Sequence, residues 1–180
     1  ASTISSVLKN FNHKNIEEII LHTGQHYDAE MSDIFWQELG LPPWEENLMV
    51  GSGSHGVQTA RILEGVESFL LKTPNVSGVI VYGDTNSTLA GALVAAKLNI
   101  PVFHVEAGLR SYDRGMPEEI NRILVDQLSA HHFVTEDSGL THLKDEGLDQ
   151  GGNVHFVGNT MIDTLVAFSP QIEQSTILAD

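Results

Sequence analysis

Apolar and polar positions along this chain follow two alternating periods, and the alternation predicts strands followed by helices. The apolar runs 79–82 and 102–105 have the length of buried strands, whereas 57–71 repeats apolar residues at the spacing of an amphipathic helix. Regular strand–helix alternation is typical of an α/β fold with a parallel sheet. The sequence therefore predicts a doubly wound, Rossmann-like α/β domain.

Twelve elements are predicted along the chain, with Gly-, Pro- and Ser-rich breaks at 40–44 and 50–56. In order they are the end of a helix at 5–11, a strand at 16–22, helices at 29–39 and 57–71, a strand at 79–82, a helix at 87–98, a strand at 102–105, a helix at 117–129, a strand at 132–134, a helix at 138–146 and a strand at 154–157. A final helix is predicted to start near Met161.

The two ends of the chain predict its domain organisation. We expect residues 1–168 to form one lobe and residues 169–180 to begin a linker, because Pro170 opens a polar tail. Doubly wound domains begin with a central strand, and no strand precedes the helix at 5–11. We therefore expect the chain to be part of a longer one whose first strand lies between strands 16–22 and 79–82, and whose second lobe follows.

Carboxylates follow both central strands at their carboxyl ends. Asp84 and Glu106 come directly after two neighbouring predicted strands, and Glu118 and Glu119 open the next helix. In open parallel sheets, ligands bind in the crevice at the carboxyl ends of the strands. Several carboxylates converging on one crevice indicate proton chemistry.

Each of these carboxylates also has a structural explanation. Asp84 lies at a strand-to-helix turn, where Asp and Thr cap helices, and Glu118 and Glu119 lie in a helical first turn, where acidic residues are favoured anyway. For Glu106 the best structural alternative is an ion pair with Arg110. The functional interpretation depends on the carboxylates lying close together.

Composition and motif spacing exclude several classes of function. The formal net charge of −15 over 180 residues argues against nucleic acid, and no apolar stretch approaches the length of about 20 residues that a membrane span needs. The nine histidines show no metal-ligand spacing, and we interpret His104 as a satisfied core histidine. Dinucleotide and P-loop fingerprints are absent, and we expect no cofactor and no metal. We also expect a cytoplasmic protein without membrane or nucleic-acid partners.

Six motifs, taken in order, resemble the nonhydrolysing UDP-N-acetylglucosamine 2-epimerase family. They are Thr23-Gly24-Gln25-His26, Arg61-Ile62-Leu63-Glu64-Gly65, Gly83-Asp84-Thr85, His104-Val105-Glu106-Ala107-Gly108-Leu109-Arg110, Pro117-Glu118-Glu119-x-Asn121-Arg122 and Gly158-Asn159-Thr160-x-Ile162-Asp163. The resemblance runs from about Ser5 to about Val166. The fourth and fifth motifs in succession are the most specific part of it.

The resemblance implies both an architecture and a reaction. Members have two Rossmann-like lobes facing a cleft, an arrangement shared with one large class of nucleotide-sugar glycosyltransferases, and this chain resembles the first lobe. The implied reaction inverts C2 of the sugar in UDP-N-acetylglucosamine, giving UDP-N-acetylmannosamine, by elimination and re-addition of UDP without a cofactor. We expect a homodimer that acts on a UDP-sugar.

The resemblance also implies roles for nine residues. The catalytic acids of the family match Asp84, Glu106 and Glu118. The positions expected to bind substrate match Arg110, Arg122 and Asn159. Contacts to a second, activating substrate molecule match Gln25, His26 and Arg61, although Tyr27-Asp28 departs from the pattern beside them.

Three alternatives remain open on the motifs alone. The chain is equally compatible with an epimerase for a related nucleotide sugar, such as a diacetamido-uronic acid nucleotide. It is also compatible with a hydrolysing member of the family that releases free N-acetylmannosamine. The third alternative is a lobe that binds a nucleotide sugar without catalysis.

Overall fold

The computed structural model describes residues 16–25 and 36–174 of the chain, which contain six short strands, five helices and a helical segment at 36–38. The strands are β1 (Leu21–His22), β2 (Glu46–Asn47), β3 (Val79–Tyr82), β4 (Val102–Val105), β5 (His131–Val134) and β6 (Val154–Phe156). The helices are α1 (His55–Lys72), α2 (Asn86–Lys97), α3 (Pro117–Leu128), α4 (Asp137–Asp145) and α5 (Thr160–Glu173). The predicted α/β class is confirmed.

Every pair of neighbouring strands in this structure is parallel. Strands β3, β4, β5 and β6 lie side by side in chain order, and β1 pairs with β2 in a separate two-stranded sheet. A helix connects each strand of the larger sheet to the next, as parallel pairing requires. This order brings the carboxyl ends of β3 and β4 to one edge, where the loops that follow them meet.

One face of the larger sheet carries the core. A first cluster joins β3 and β4 to α2 and α3 through Val81, Ala92, Ala95, Val102 and Val125. A second joins α1 to α2, with Ile62 and Ala90 fully buried, and a third joins β5 to α4. Helices α2 and α3 are thereby fixed against the strands whose ends carry the predicted carboxylates.

The long periodic segments match their predictions closely, and the first strand does not. The predicted strand at 16–22 is wrong in length, because β1 spans Leu21–His22 alone. Its partner β2 has two residues, and Ile16 and Ile19 are 59% and 42% exposed, so no apolar face extends the strand. Strand β2 itself was not predicted, since 40–49 shows no period-2 pattern.

The remaining differences concern the ends of the lobe. Of the helix predicted at 29–39, residues 36–38 are helical and 26–35 lie outside the described residues, as do 1–15 and 175–180. Helix α5 continues through Pro170 to Glu173, so the helix does not end where the linker was predicted to begin. In the described part of the chain, β3 pairs with β4 and not with β1. The additional strand between β1 and β3 stays a prediction.

A pair of glycines fixes the loop after β4 against α4. Gly108 has φ +81°, and a Cβ on it would lie 2.5 Å from the carbonyl oxygen of Gly139. A Cβ on Gly139 would in turn lie 3.1 Å from the carbonyl oxygen of Ala107. Backbone approaches this close exclude any side chain, so the loop path depends on both glycines.

We expect Gly108→Ala to lower the free energy of unfolding by about 2–4 kcal/mol, since it adds a steric clash to left-handed backbone strain. Gly147→Ala is the matched control, because Gly147 has φ +74° and a Cβ added to it would meet no atom within 4 Å. The control should lose about 1 kcal/mol from strain alone. Urea unfolding of both variants measures the difference, and equal losses would contradict the clash.

Candidate active site

The turns after β3 and β4 lie side by side and carry the first two predicted carboxylates. Tyr82 and Val105 are in register at the strand ends, and the Gly83 N–H donates to the Val105 carbonyl over 3.0 Å. Asp84 and Glu106 follow directly. A Cβ on Gly83 would lie 3.7 Å from Glu106 Oε2, so the Glu106 carboxylate lies beside the residue that precedes Asp84.

Glu106 combines a strained backbone with an unpaired side chain. Its φ is +70°, a left-handed conformation that costs a residue with a Cβ roughly 1–2 kcal/mol. No hydrogen bond or ion pair joins its half-buried carboxylate to any residue that the structure describes. The suggested ion pair between Glu106 and Arg110 is therefore wrong. Strain of this kind clusters at functional sites, where the surrounding structure enforces it.

Asp84 is paired with a cation from α3. Arg122 Nη2 donates to Asp84 Oδ2, and the side chains are 14% and 30% exposed respectively. Arg122 Nη1 also donates to Glu119 over 3.2 Å. Arg122 therefore anchors Asp84 to α3 and bridges two carboxylates.

The alternative explanation of Asp84 as a helix cap is wrong. Thr85 is the N-cap residue of α2 and forms a capping box with Thr88. Thr88 also donates through its hydroxyl to the Tyr82 carbonyl over 2.6 Å. Because the capping is done by Thr85, the Asp84 side chain is left for its ion pair and for the crevice.

The two adjacent glutamates at the start of α3 have opposite environments. Glu119 is 1% exposed and accepts hydrogen bonds from the Ser111 amide (2.9 Å), the Ser111 hydroxyl (3.0 Å) and the Tyr112 amide (3.0 Å). Burial alone would raise the pKa of Glu119, but those donors and the charge of Arg122 outweigh it and lower the pKa below 4.5. Glu118 is half-buried and forms no such contact with the described residues.

Arg110 pairs with two other carboxylates, Asp126 and Glu146. Its side chain is 1% exposed, and it donates to Glu146 over 2.7 and 2.6 Å, to Asp126 over 2.7 Å and to the Leu109 carbonyl over 2.7 Å. Burial alone would lower the pKa of Arg110, but its bonds to Glu146 and Asp126 outweigh that and raise the pKa above the ordinary value. These contacts tie the Arg110 side chain to α3 and to Glu146, and its expected role in substrate binding stays a prediction.

Sequence reasoning missed Asp126 and Glu146 as partners of Arg110. Asp126 is 0% exposed in the last turn of α3, beside the fully buried Val125. The one signal in the sequence was the position of Asp126 around the helix, because Asp126 lies next to an apolar core position. Residue type argued the other way, since aspartate is seldom fully buried.

The residues expected at a second ligand site are placed unequally. The Gln25 side-chain oxygen accepts from both the Ser87 amide (3.0 Å) and the Ser87 hydroxyl, which ties the loop after β1 to the start of α2. Arg61 is exposed on α1 and makes no hydrogen bond or ion pair with the described residues. His26 lies outside the described residues. Asn159, predicted to bind substrate, caps α5 by accepting from the Met161 amide over 2.9 Å.

A chain of amide side chains runs beside Asp84. Asn121 Nδ2 donates to the Asp84 carbonyl over 2.9 Å and lies 3.3 Å from Asn86 Oδ1, and Asn86 Nδ2 donates to Gln58 over 2.8 Å. An open cleft of about 370 Å³ adjoins it where α1, α2 and α3 begin, lined in part by His55 and Asn121. Helix N-termini favour anions, so this edge combines carboxylates with positive helix ends.

Two absences apply to the described part of the chain. No three His, Asp or Glu side chains within residues 16–25 and 36–174 are grouped so that they could hold a metal ion. None of the helices there is long and apolar enough to cross a membrane.

The sequence and the fold both match known proteins. The profile of the family described as UDP-N-acetylglucosamine 2-epimerase matches residues 9–180. A UDP-N-acetylglucosamine 2-epimerase homolog from Methanococcus maripaludis is 52% identical over 162 residues, which are 89% of this chain and 44% of that protein. A UDP-2,3-diacetamido-2,3-dideoxy-D-glucuronate 2-epimerase from Pseudomonas aeruginosa is 45% identical over 170 residues, 94% of this chain and 47% of that protein.

A solved structure extends the match to three dimensions. The crystal structure of Methanocaldococcus jannaschii UDP-GlcNAc 2-epimerase in complex with UDP-GlcNAc and UDP superposes with a TM-score of 0.88 at 44% identity. The superposition covers 97% of this chain and 48% of that one. The chain therefore spans about half the length of the relatives that it matches.

We expect Glu119→Gln to lower the free energy of unfolding at pH 7 by about 2–3 kcal/mol, because charge-assisted hydrogen bonds in a buried site are lost. Because the pKa of Glu119 is lowered in the folded state, its ionisation stabilises the fold at pH values above the ordinary pKa of 4.5. That stability is lost as the pH falls through the pKa of the folded state. The difference between variant and wild type should therefore shrink below about pH 4.5.

The matched control is Glu118→Gln, one residue earlier on the same helix. Because Glu118 has no partner among the described residues, the control should stay within about 0.5 kcal/mol of wild type across the same pH series. Urea unfolding between pH 3 and pH 7 checks both variants. Equal losses at positions 118 and 119 would contradict the assignment of Glu119 to the loop.

Proposed function

Because the chain belongs to the UDP-N-acetylglucosamine 2-epimerase family, we propose that it supplies the carboxylates that invert C2 of UDP-N-acetylglucosamine, giving UDP-N-acetylmannosamine. The observation that carries the proposal is the pair of adjacent strand ends. There the strained Glu106 carboxylate has no partner among the described residues, and the Asp84 carboxylate beside it is paired with Arg122. Such an arrangement suits proton transfer next to a developing charge.

The chemistry of the substrate dictates what this site must do. The hydrogen on C2 is not adjacent to a carbonyl group, so simple enolisation cannot exchange it. In the proposed route a base takes the C2 proton, the bond from C1 to the UDP oxygen breaks, and a C1–C2 double bond forms. UDP then adds back to C1, and a proton reaches C2 from the opposite face.

We assign the carboxylates by their partners in the structure. Glu106 and Glu118 have no hydrogen-bonding partner among the described residues, and they exchange protons with the sugar. Asp84 is paired with Arg122, and it stabilises the positive charge that develops at C1 as UDP departs. General acid and base groups of this kind each contribute about 10²–10⁴ in rate.

A second substrate is favoured by one specific relative. The Pseudomonas aeruginosa protein named for UDP-2,3-diacetamido-2,3-dideoxy-D-glucuronate is 45% identical to this chain. That sugar is acidic, and the net charge of −15 here favours the neutral sugar of UDP-N-acetylglucosamine. Comparing kcat/KM for the two nucleotide sugars, with product identity followed by NMR, decides between them.

The isotope content of the product tests the proton transfer. The assay uses an enzyme that contains this chain and has the full length of its relatives. We expect epimerisation in deuterium oxide to place deuterium at C2 of UDP-N-acetylmannosamine. The physical reason is that a carboxylate proton exchanges with solvent before it returns to carbon. Proton NMR of the C2 position measures it, and complete retention of protium would rule out this route.

Substitution of the two strand-end carboxylates tests their roles. Asp84→Asn and Glu106→Gln should each lower kcat by at least about 10²-fold in the same enzyme, with the fold intact by circular dichroism. Glu67→Gln, at an exposed position of α1, is the matched control and should keep the wild-type rate. A wild-type rate in either site variant would remove that residue from the mechanism.

A further inference from the structure

Asp126 is a fully buried carboxylate that the proposed reaction does not use. It is 0% exposed on α3, and its Oδ1 lies 2.6 Å from His104 Nδ1. Its Oδ2 accepts from the Gly108 amide over 3.1 Å and from Arg110 over 2.7 Å. His104 lies two residues before Glu106 in the chain, and Gly108 and Arg110 lie two and four residues after it.

His104 carries this interaction onward to the other strand end. It is 0% exposed, and its second ring nitrogen, Nε2, lies 2.8 Å from the carbonyl oxygen of Gly83. A carboxylate and a carbonyl both accept hydrogen bonds and neither donates, so both ring nitrogens of His104 must carry hydrogen. The two contacts, as the structure places them, therefore use a hydrogen on each ring nitrogen of His104, with the Asp126 carboxylate beside one of them.

The charges around this pair are balanced on every side that the structure describes. Arg110 lies between Asp126 and Glu146 and neutralises the outer carboxylate. From β5, His132 packs beside His104 in register, and its Nε2 donates to the Asp126 carbonyl over 2.8 Å. Burial of a charge is tolerated when it is paired and hydrogen-bonded in this way.

The contacts of Asp126 bear on the backbone at Glu106 and at Gly83. Glu106 has φ +70°, a strained conformation of the kind that persists where the surrounding structure over-determines it, whereas Gly83 has φ +63°, which glycine adopts without strain. Asp126 anchors the chain at His104 and Gly108 and so encloses Glu106. Through His104 it also fixes the carbonyl of Gly83, the residue before Asp84.

We infer that Asp126 is a positioning residue for the reaction. Through a doubly protonated His104 it sets the orientation of Asp84, and by anchoring the chain on both sides of Glu106 it sets the orientation of that carboxylate. The inference rests on the proposed function, because it assigns Asp126 to the placement of the groups that the reaction uses.

Two arms leave Asp126, and they can be cut separately. One arm runs through His104 to the strand ends, and the other runs through Arg110 to Glu146, the residue that directly follows α4. Asp126→Asn weakens both arms. His104→Asn cuts the first arm alone, because its amide nitrogen reproduces the donor to Asp126 but does not reach Gly83. Glu146→Gln cuts the second arm alone and is the matched control.

The kinetic experiment uses the full-length enzyme with UDP-N-acetylglucosamine. Asp126→Asn and His104→Asn should lower kcat by about 10- to 100-fold with KM within about 3-fold, since misplaced groups slow chemistry more than binding. Glu146→Gln should keep kcat within about 2-fold of wild type, even though this variant has a lower free energy of unfolding. Should Asp126→Asn fail to fold, His104→Asn tests the same arm with Asp126 still paired.

Nitrogen NMR of the histidine rings gives a readout that does not depend on turnover. In wild type both His104 ring nitrogens should be in the N–H form that the two hydrogen bonds use, and Asp126→Asn should leave one of them without hydrogen. A neutral His104 in wild type overturns the inference. So does an equal loss of kcat in Glu146→Gln and Asp126→Asn, or an unchanged kcat in His104→Asn.

The two readouts separate this inference from the function it rests on. If the wild-type enzyme places no deuterium at C2 of any UDP-sugar product, the proposed function fails, and with it the kinetic role of Asp126. The NMR result then still decides whether Asp126 and His104 form the ion pair that holds Gly83. Turnover with normal isotope exchange but a neutral His104 overturns the inference alone.

Discussion

The buried negative charge of Asp126 is the constraint on which the geometry of the strand ends depends. An unpaired charge in the interior costs several kcal/mol, so the loop after β4 must keep its donors at the Asp126 carboxylate. Three of those donors belong to the stretch 104–110. Any shift of that stretch that moves Glu106 would leave Asp126 under-compensated. A residue far down α3 thereby limits the freedom of a carboxylate at the sheet edge.

The acidic residues of this edge divide into two groups by their partners. Glu119 and Asp126 are nearly fully buried, receive several donors, and have pKa values held below the ordinary carboxyl range despite the opposing effect of burial. Glu106 and Glu118 have no partner within the described residues and lie less deeply. A carboxylate saturated by fixed donors holds structure, whereas one without partners can take and return a proton. Hydrogen bonding thus separates structural from chemical roles among residues of the same type.

The sequence predicted the elements whose signal is local and missed those whose signal is tertiary. Strands 79–82 and 102–105 and the helix at 117–129 carry long periodic patterns and are found within a residue or so of their predicted bounds. Strand β2 exists because the Leu48 amide donates to the His22 carbonyl, a contact that no local pattern encodes. Likewise, Glu118 and Glu119 are adjacent and identical in type, and about 100° of helical rotation makes one buried and the other not. The family resemblance suggested the candidate site, but residue type alone could not show that Arg110 pairs with Asp126 and Glu146.

The charges of the described lobe argue for a division of labour in the proposed reaction. Expelling UDP requires cations or dipoles at the diphosphate, and carboxylates next to it would oppose binding. Arg122 is engaged by Asp84 and Glu119, although its buried Nε has no partner among the described residues. The N-terminal ends of α1, α2 and α3 begin beside a cleft whose lining is mostly apolar, and in the proposed reaction they would supply part of what a diphosphate needs. We therefore expect the rest of the diphosphate contacts to come from outside the stretch that matches this chain, which is about half of each relative. A lobe rich in carboxylates would then conduct the proton transfer, while positive groups elsewhere hold the leaving group.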